Sequence, residues 1–331
     1  MNKGTATFLR GLVIFLLLVA CPFPAHSSNG TIVGVSGPSI NMIYAFVARD
    51  AGFYQKYGVD ARVVLFDAGS ILAQAMLSGD VKMSISSGPA VIASRSQGAD
   101  TIIVAACVNT LPYSLVTAKG ITKWDQLKGK RIAISRFGSG TDTAIRLVLK
   151  KFGLDPVKDV TILQLGTQPG RLQALAGGSI EATLVSPPLD LMAKKQGYQI
   201  LVNLADLAIP YPQQVIETTD RFARENPQTV KNFLKGFLEG VRYVARNKEQ
   251  TKTLIAKYLN TADPEILDAT YQSYLQVTDA SGYPSMEGMR NAMDEVAQRV
   301  PVVKSKKPED FVNTSFLKEL EKEGFFKQLQ K

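Results

Sequence analysis

Residues 135–142 read Ser-Arg-Phe-Gly-Ser-Gly-Thr-Asp, with two glycines, three hydroxyls and one arginine in eight positions. They follow the apolar run Arg131-Ile132-Ala133-Ile134 and precede Thr143-Ala144-Ile145-Arg146-Leu147-Val148-Leu149. A strand, a glycine-rich turn and a helix start are predicted. The free backbone N–H groups of such a start attract an anion or a small polar group. The stretch lacks the lysine of a P-loop and the third glycine of a dinucleotide fingerprint. Asp142 in the first helical turn would repel a highly charged phosphate, and Ser139-x-x-Asp142 has the form of a capping box. The expectation is a jaw that offers a few donors to a small, weakly charged or neutral polar ligand.

Four other loops have the same make-up, each after an expected strand and before an expected helix: Ser36-Gly37-Pro38-Ser39, Asp67-Ala68-Gly69-Ser70, Ser86-Ser87-Gly88-Pro89 and Ser186-Pro187-Pro188. In open α/β sheets, ligands bind beyond the carboxyl ends of the strands. The candidate ligand residues are therefore Ser36, Ser39, Asp67, Ser70, Ser87, Arg136, Phe137, Ser139, Gly140, Thr141, Ser186 and Tyr211. Most have a second role open to them. Ser and Thr are preferred N-cap residues, which applies to Ser70, Ser139 and Thr141. Asp67 suits a ligand amine or the cap of a turn, and Arg136 an acidic ligand or solvent. Phe137 and Tyr211 suit stacking on a flat ligand, or hinge and core packing. Asn109 and Tyr113, near a chain crossover, are weaker candidates of the same kind.

Catalytic chemistry has little to stand on. The single histidine is His26, in the leader described below, so histidine triads and histidine-ligated metals are not expected. The chain has no cysteine cluster and no GxxxxGK[ST], and no cofactor is expected.

These residues need a scaffold. The chain has 331 residues, 45% of them apolar and 20% charged, enough for one large core or two ordinary ones. Lys3 and Arg10 precede and flank an eleven-residue apolar run, 11–21, which is followed by Pro22-Phe23-Pro24-Ala25-His26-Ser27-Ser28. That is the pattern of an export signal, 1–27, too short to span a bilayer comfortably. A second reading takes Leu18-Val19-Ala20-Cys21 as a lipobox, with residues 1–20 removed and Cys21 lipidated. On either reading Cys107 has no disulfide partner within the chain, and its apolar setting marks it as a small buried hydrophobe. The net charge is +9; removing residues 1–27 takes away Lys3 and Arg10 and leaves about +7. The lysines are scattered and not interleaved with aromatics, so nucleic-acid binding is set aside.

Strands are expected at 31–35, 61–66, 81–86, 101–108, 131–135, 160–164, 182–185, 199–203 and 214–218, with helices between. A long amphipathic helix is expected at 227–247, carrying Val230, Phe233, Leu234, Phe237, Leu238 and Val241 at three- and four-residue spacing. Alternating strands and helices imply a mostly parallel sheet covered on both faces. The chain is divided into one lobe of 30–116 plus 212–331 and a second of 117–211. The two crossovers between them are natural hinges.

Five motifs then carry a resemblance: residues 46–60 (FVARDAGFYQKYGVD), 76–81 (MLSGDV), 125–130 (DQLKGK), 174–182 (ALAGGSIEA) and Glu225-Asn226-Pro227 at the entry to the long helix. Together they resemble the type II solute-binding proteins of bacterial ABC importers, in the group that includes sulfonate, taurine and nitrate binders and the binders of the thiamine pyrimidine precursor. The resemblance covers nearly all of 30–325. Lys82 stands where that group usually has an acidic residue, and Glu181 where it has aspartate.

The resemblance implies the two-lobed periplasmic-binding-protein type II fold, with a small polar or anionic organic molecule held in the inter-lobe cleft. The implied partner is an inner-membrane ABC permease, and the implied location the periplasm or extracytoplasmic face. A monomer without enzymatic activity is expected. Two alternatives belong to other classes: a ligand-binding sensory subunit, and an enzyme of thiamine-precursor type, whose cysteine-rich motif is absent here.

Overall fold

The computed structural model describes residues 30–36, 40–67 and 69–330, without the side chains of residues 40–42, 70 and 259. The expected export signal, Cys21 and Ser39 lie outside the described residues, as does the side chain of Ser70.

Among the described residues, the short runs rich in Val, Ile and Ala form ten strands in two five-stranded sheets. The first sheet holds β1 (Thr31–Ser36), β2 (Ala61–Phe66), β3 (Met83–Ser86), β4 (Thr101–Val108) and β10 (Gln214–Thr219), in the order β2-β1-β3-β10-β4. The second holds β5 (Ser114–Thr117), β6 (Arg131–Ile134), β7 (Thr161–Gln164), β8 (Ala182–Val185) and β9 (Gln199–Asn203), in the order β7-β6-β8-β5-β9. The pairs β1–β2, β1–β3, β6–β7 and β6–β8 are parallel. Among the described strands, β10 and β5 alone run against their neighbours.

Those two strands are the ones that follow a crossover, and the reason is geometric. A chain leaving one sheet at its carboxyl edge reaches the other sheet at the facing edge, so its first strand must run away from the seam. The sequence reading did not find β5 and drew its boundary at 116/117. Ser114 to Thr117 pair with β8 and β9, so that boundary cuts a strand of the second sheet.

The helices are α1 (Ile40–Asp50), α2 (Phe53–Lys56), α3 (Gly69–Leu77), α4 (Gly88–Ser96), α5 (Gly140–Lys151), α6 (Gln168–Ala176), α7 (Leu189–Lys195), α8 (Asp220–Glu225), α9 (Pro227–Arg246), α10 (Lys248–Leu259), α11 (Pro264–Val277), α12 (Met286–Val296), α13 (Ser315–Lys322) and α14 (Phe325–Gln330). The six apolar residues expected on the buried stripe of α9 all lie in the core, packed with Ile43, Tyr44 and Val47 of α1 under one face of the first sheet. Cys107 is buried in the same core, and burial pushes its thiol pKa up.

A second core continues from one sheet to the other. It joins Ile103, Ala106 and Val215 of the first sheet to Ile132, Ile134 and Leu184 of the second, with Met289, Ala292, Met293 and Val296 of α12 between them. Thus α12, which follows the last strand of the first sheet, packs on both α4 and α5.

Glu217 in β10 is an acid inside the first sheet, 1% exposed. Its Oε1 accepts from the Ser84 hydroxyl at 2.5 Å, and its Oε2 has no partner among the described residues. Burial lifts its pKa from the ordinary 4.5 to about 7, against the opposing pull of the Ser84 hydrogen bond. An acid whose folded pKa is raised binds its proton more tightly in the folded state. Its contribution is therefore complete below pH 4.5 and is lost as pH rises to about 7. Glu217→Gln is expected to melt several degrees above the parent at pH 8 and at nearly the same temperature at pH 4, which paired calorimetry at the two pH values would check.

Candidate functional site

The carboxyl ends of the co-directed strands of both sheets meet at the seam where the crossovers run. The crossovers are tied side by side. The Tyr211 N–H donates to the Asn109 carbonyl and the Gln213 N–H to the Val108 carbonyl, both at 3.0 Å, while Gln213 Nε2 donates to the Tyr113 hydroxyl. Asn109 also donates to Asp279 and the Tyr283 carbonyl, and its Oδ1 accepts from the Ser285 N–H. It therefore pins the first crossover to the C-terminal segment and plays a structural part.

On the first sheet's side, Ser86 ends β3 and Ser87 holds the N-cap position of α4. They are 0% and 4% exposed, and among the described residues neither Oγ has a hydrogen-bond partner. Gln213 is 2% exposed, and its Oε1 is also unpartnered. Unpaired buried polar atoms are uncommon and mark places that bind water, ions or ligands. Gly69 starts α3 so close by that a Cβ there would stand 2.7 Å from Ser86 Oγ. Gly140 starts α5 from the other sheet, and a Cβ on it would stand 2.9 Å from Ser87 Cβ and 3.0 Å from its Oγ. Three helix starts, two from one sheet and one from the other, converge on this serine pair.

On the second sheet's side, the hydroxyls of Ser135, Ser139 and Thr141 bond to one another at 2.8–3.0 Å. Ser139 holds the N-cap position of α5, but its hydroxyl donates to the Arg136 carbonyl and makes no cap bond to the helix. Thr141 Oγ1 accepts from the Ser135 N–H. The capping roles expected for Ser139 and Thr141 are thus replaced by a closed ring of hydroxyls that stiffens the turn.

Asp142 does not face the cleft as a repelling charge. It is 0% exposed and accepts from the Gly138 N–H at 2.8 Å. It also pairs with Arg146 one turn on and with Arg299 beyond α12, each at 2.7 Å. This cluster carries one negative and two positive charges, so the argument from Asp142 against an anionic ligand is overturned.

Several candidates fall where expected and others do not. Ser36 ends β1, half-buried. Asp67 follows β2, exposed and without a side-chain hydrogen bond among the described residues. Arg136 is exposed and makes no ion pair among the described residues, and Phe137 is 50% exposed. Ser186 follows β8 directly and is buried; its N–H donates to Gln168 Oε1 at 2.8 Å and its hydroxyl is engaged by the same amide. Tyr211 is corrected: it is 0% exposed in the second core, and its hydroxyl donates to the Gly140 carbonyl at 3.2 Å. It braces the seam and has no free face for stacking.

Ser86 lies in a loop named from the sequence without being singled out there, while Gln213, Arg171 and Asp190 are not reached by sequence reasoning. Arg171, on α6, is 1% exposed. It donates to Thr183 Oγ1 and to the carbonyls of Gly166 and Leu184, with no carboxylate partner among the described residues. Burial brings its pKa down to about 10, which leaves it charged at neutral pH. Its signal was present in the sequence: Arg171 lies one helical turn before the buried Leu175, on the inward stripe of α6. Asp190, at the start of α7, accepts from the Ser114 hydroxyl at 2.6 Å, and desolvation raises its pKa. It could be found only once β5 was known.

The two sides are also clasped outside the crossovers. Lys195 of α7 pairs with Asp263 and Glu265 at the start of α11, at 2.6 and 2.8 Å, and Lys150 of α5 pairs with Glu295 of α12 at 2.8 Å.

Residues 39–251 match the NMT1/THI5 like family. The taurine-binding periplasmic protein of Escherichia coli (strain K12) is 27% identical over 234 residues, 69% of this chain and 72% of that protein. The riboflavin-binding protein RibY of Chloroflexus aurantiacus is 23% identical over 279 residues, 76% of this chain and 78% of its own length. Among solved structures, the alkanesulfonate-binding protein SsuA of Xanthomonas axonopodis pv. citri, bound to MOPS, superposes with a TM-score of 0.71 at 18% identity, over 84% of this chain and 95% of that one. At that identity the likeness is one of fold, which is the periplasmic-binding-protein fold with two sheets flanked by helices.

Proposed function

The chain belongs to the NMT1/THI5 like family, and from that premise we propose that it is the extracytoplasmic solute-binding component of an ABC importer. It binds a small anionic or polar organic molecule between its two sheets and delivers it to a permease. One observation carries this reading. Ser87 and Gln213 of one side present buried polar atoms, unpartnered among the described residues, at the point where Gly140 of the other side meets them, and Ser86 lies with Ser87 against Gly69. A ligand there touches both sides at once, so its binding energy favours the closed form over any opened one.

The named relatives support the class and leave the ligand open, since riboflavin is chemically unlike taurine and the alkanesulfonates, which share a sulfonate group. We further propose the lobe division described above, corrected at β5, with the protein acting as a monomer. Residues 1–27 are its export signal, or residues 1–20 if Cys21 is lipidated; mass spectrometry of the processed N-terminus distinguishes the two.

The test of function is a melting-temperature screen of the processed protein against taurine, methanesulfonate, nitrate, benzoate and a hydroxymethylpyrimidine, followed by small-angle scattering. A ligand at about a hundred times its Kd adds roughly 2.7 kcal/mol of stability, which appears as a rise of several degrees, and scattering should show compaction. Failure of every compound to shift the melting temperature, or chemical conversion of one that binds, overturns the reading.

A further inference from the structure

The C-terminal segment reaches over the seam with two arms, α11 and α12. Between them the chain is fixed to both crossovers. Thr278 forms an antiparallel bridge with Val108. The Asp279 N–H donates to the Cys107 carbonyl at 2.7 Å, and the Ala106 N–H to the Gly282 carbonyl at 2.8 Å. Asn291 Nδ2 donates to the Pro210 carbonyl at 2.9 Å. Gly288 lies so close to the second crossover that a Cβ on it would stand 2.8 Å from the Tyr211 nitrogen.

The two arms differ in kind. The α12 arm is apolar and packed. Met289, Met293 and Val296 share one core with Ile145 and Val148 of α5. Its ion pairs to α5 use acids that are nearly buried, Glu295 in one and Asp142 in the other. Parting this arm uncovers several large apolar side chains, and each costs about tenfold or more in the equilibrium.

The α11 arm is open and ionic. A gap of about 330 Å³ lies between it and α7, lined by Leu191 and Lys194 on one side and Ile266 and Ala269 on the other. Lys195 reaches across to Asp263 and Glu265, and the three side chains are 37% to 81% exposed. Exposed pairs of this kind shift an equilibrium only about two- to fivefold.

From this asymmetry we infer that the α11 arm is a releasable latch and the α12 arm a fixed pivot. When the cleft opens, α7 parts from α11 while α5 and α12 stay packed. Lys195 then sets the resting balance between open and closed forms from outside the polar pocket. Salt screens exposed charges and weakens the latch. A weaker latch leaves less of the ligand-free protein in the closed form and lowers the apparent affinity in proportion. The inference rests on the solute-binding reading and adds to it which contact yields and what tunes it.

Double electron–electron resonance on the ligand-free protein tests it, since Cys107 is buried out of a spin label's reach. Labels go on two pairs of exposed positions: Gln196→Cys with Gln272→Cys across the α7–α11 gap, and Lys151→Cys with Gln298→Cys across α5 and α12. Raising the salt from about 0.05 M to about 1 M should increase a longer component of the first distance about two- to fivefold over the short one. The second distance should stay as it is. At low salt Lys195→Ala should have the same effect, and Lys195→Glu a larger one, because it sets a like charge against Asp263 and Glu265. Lys195→Arg keeps the pairing and should behave as the parent. A longer component in the second pair, alone or equal to that in the first, overturns the assignment of latch and pivot. So does a first distance that ignores both salt and the Lys195 variants. None of these results touches the solute-binding reading, which stands or falls with the melting-temperature screen.

Discussion

Gly140→Val is expected to weaken ligand binding about thirtyfold while leaving the melting temperature of the ligand-free protein nearly unchanged. The helix itself does not require glycine there, because replacing glycine in a helix usually helps by up to about 1 kcal/mol. The demand comes from across the seam, where a Cβ would stand 2.9 Å from Ser87 Cβ and 3.3 Å from Gln213 Oε1. Contacts that short force the two sides apart, and overpacking of this kind costs about 2 kcal/mol, which is roughly thirtyfold in affinity. The ligand-free protein avoids the cost by opening, whereas the bound form cannot. Scattering should show the variant failing to compact with ligand. Ser87→Gly in the same chain removes the struck atoms and should restore compaction with ligand, at an affinity below the parent's because the Ser87 hydroxyl is lost with them. A variant that binds normally without that second change would show that the seam does not close on ligand.

Asp142→Ala should be the most damaging of the surface-remote substitutions for stability, at about 3 kcal/mol. Removing one member of a buried ion pair strands its partner's charge, a loss of about 3–5 kcal/mol in well-buried cases. The lower end applies because the side chains of Arg146 and Arg299 are 16% and 29% exposed and can reach water. For a chain of this size the drop in melting temperature is about 4–5 °C. Asp142→Asn keeps an acceptor for the Gly138 N–H and should fall between the two. A double-mutant cycle with Arg299→Ala should give a coupling above about 0.5 kcal/mol, since these residues touch. Strict additivity would mean that the ion pair contributes nothing to holding α5 and α12 together.

The sequence carried the scaffold well and the site unevenly, for physical reasons. Nine of the ten strands were legible because an apolar run between turn residues must be buried, and α9 because its stripe repeats with helical period. The strand β5 was not, since Ser-Leu-Val-Thr is short and lies inside a crossover; only pairing with β8 and β9 makes it a strand. The loops with Ser87 and Gly140 were found because strand-end loops rich in small residues are a local signal. That these two residues meet was not legible, because contact between residues 53 positions apart depends on how the sheets are set. Asp142 was misjudged because Arg299, its partner, lies far along the chain. Gln213 and Arg171 were passed over because a polar residue reads as exposed until its neighbours are known.

The placement of α12 bears on how the chain is made. The second sheet's last strand ends at Asn203, yet part of the apolar surface it shares is covered by residues 286–296. A chain synthesised from its N-terminus holds that surface uncovered until those residues emerge. Folding to the finished form therefore waits for nearly the whole sequence, and a chain stopped short of α12 should bind chaperones and be cut by proteases at its second sheet. Under the export proposed above, this late cover lengthens the time in which the chain is still unfolded.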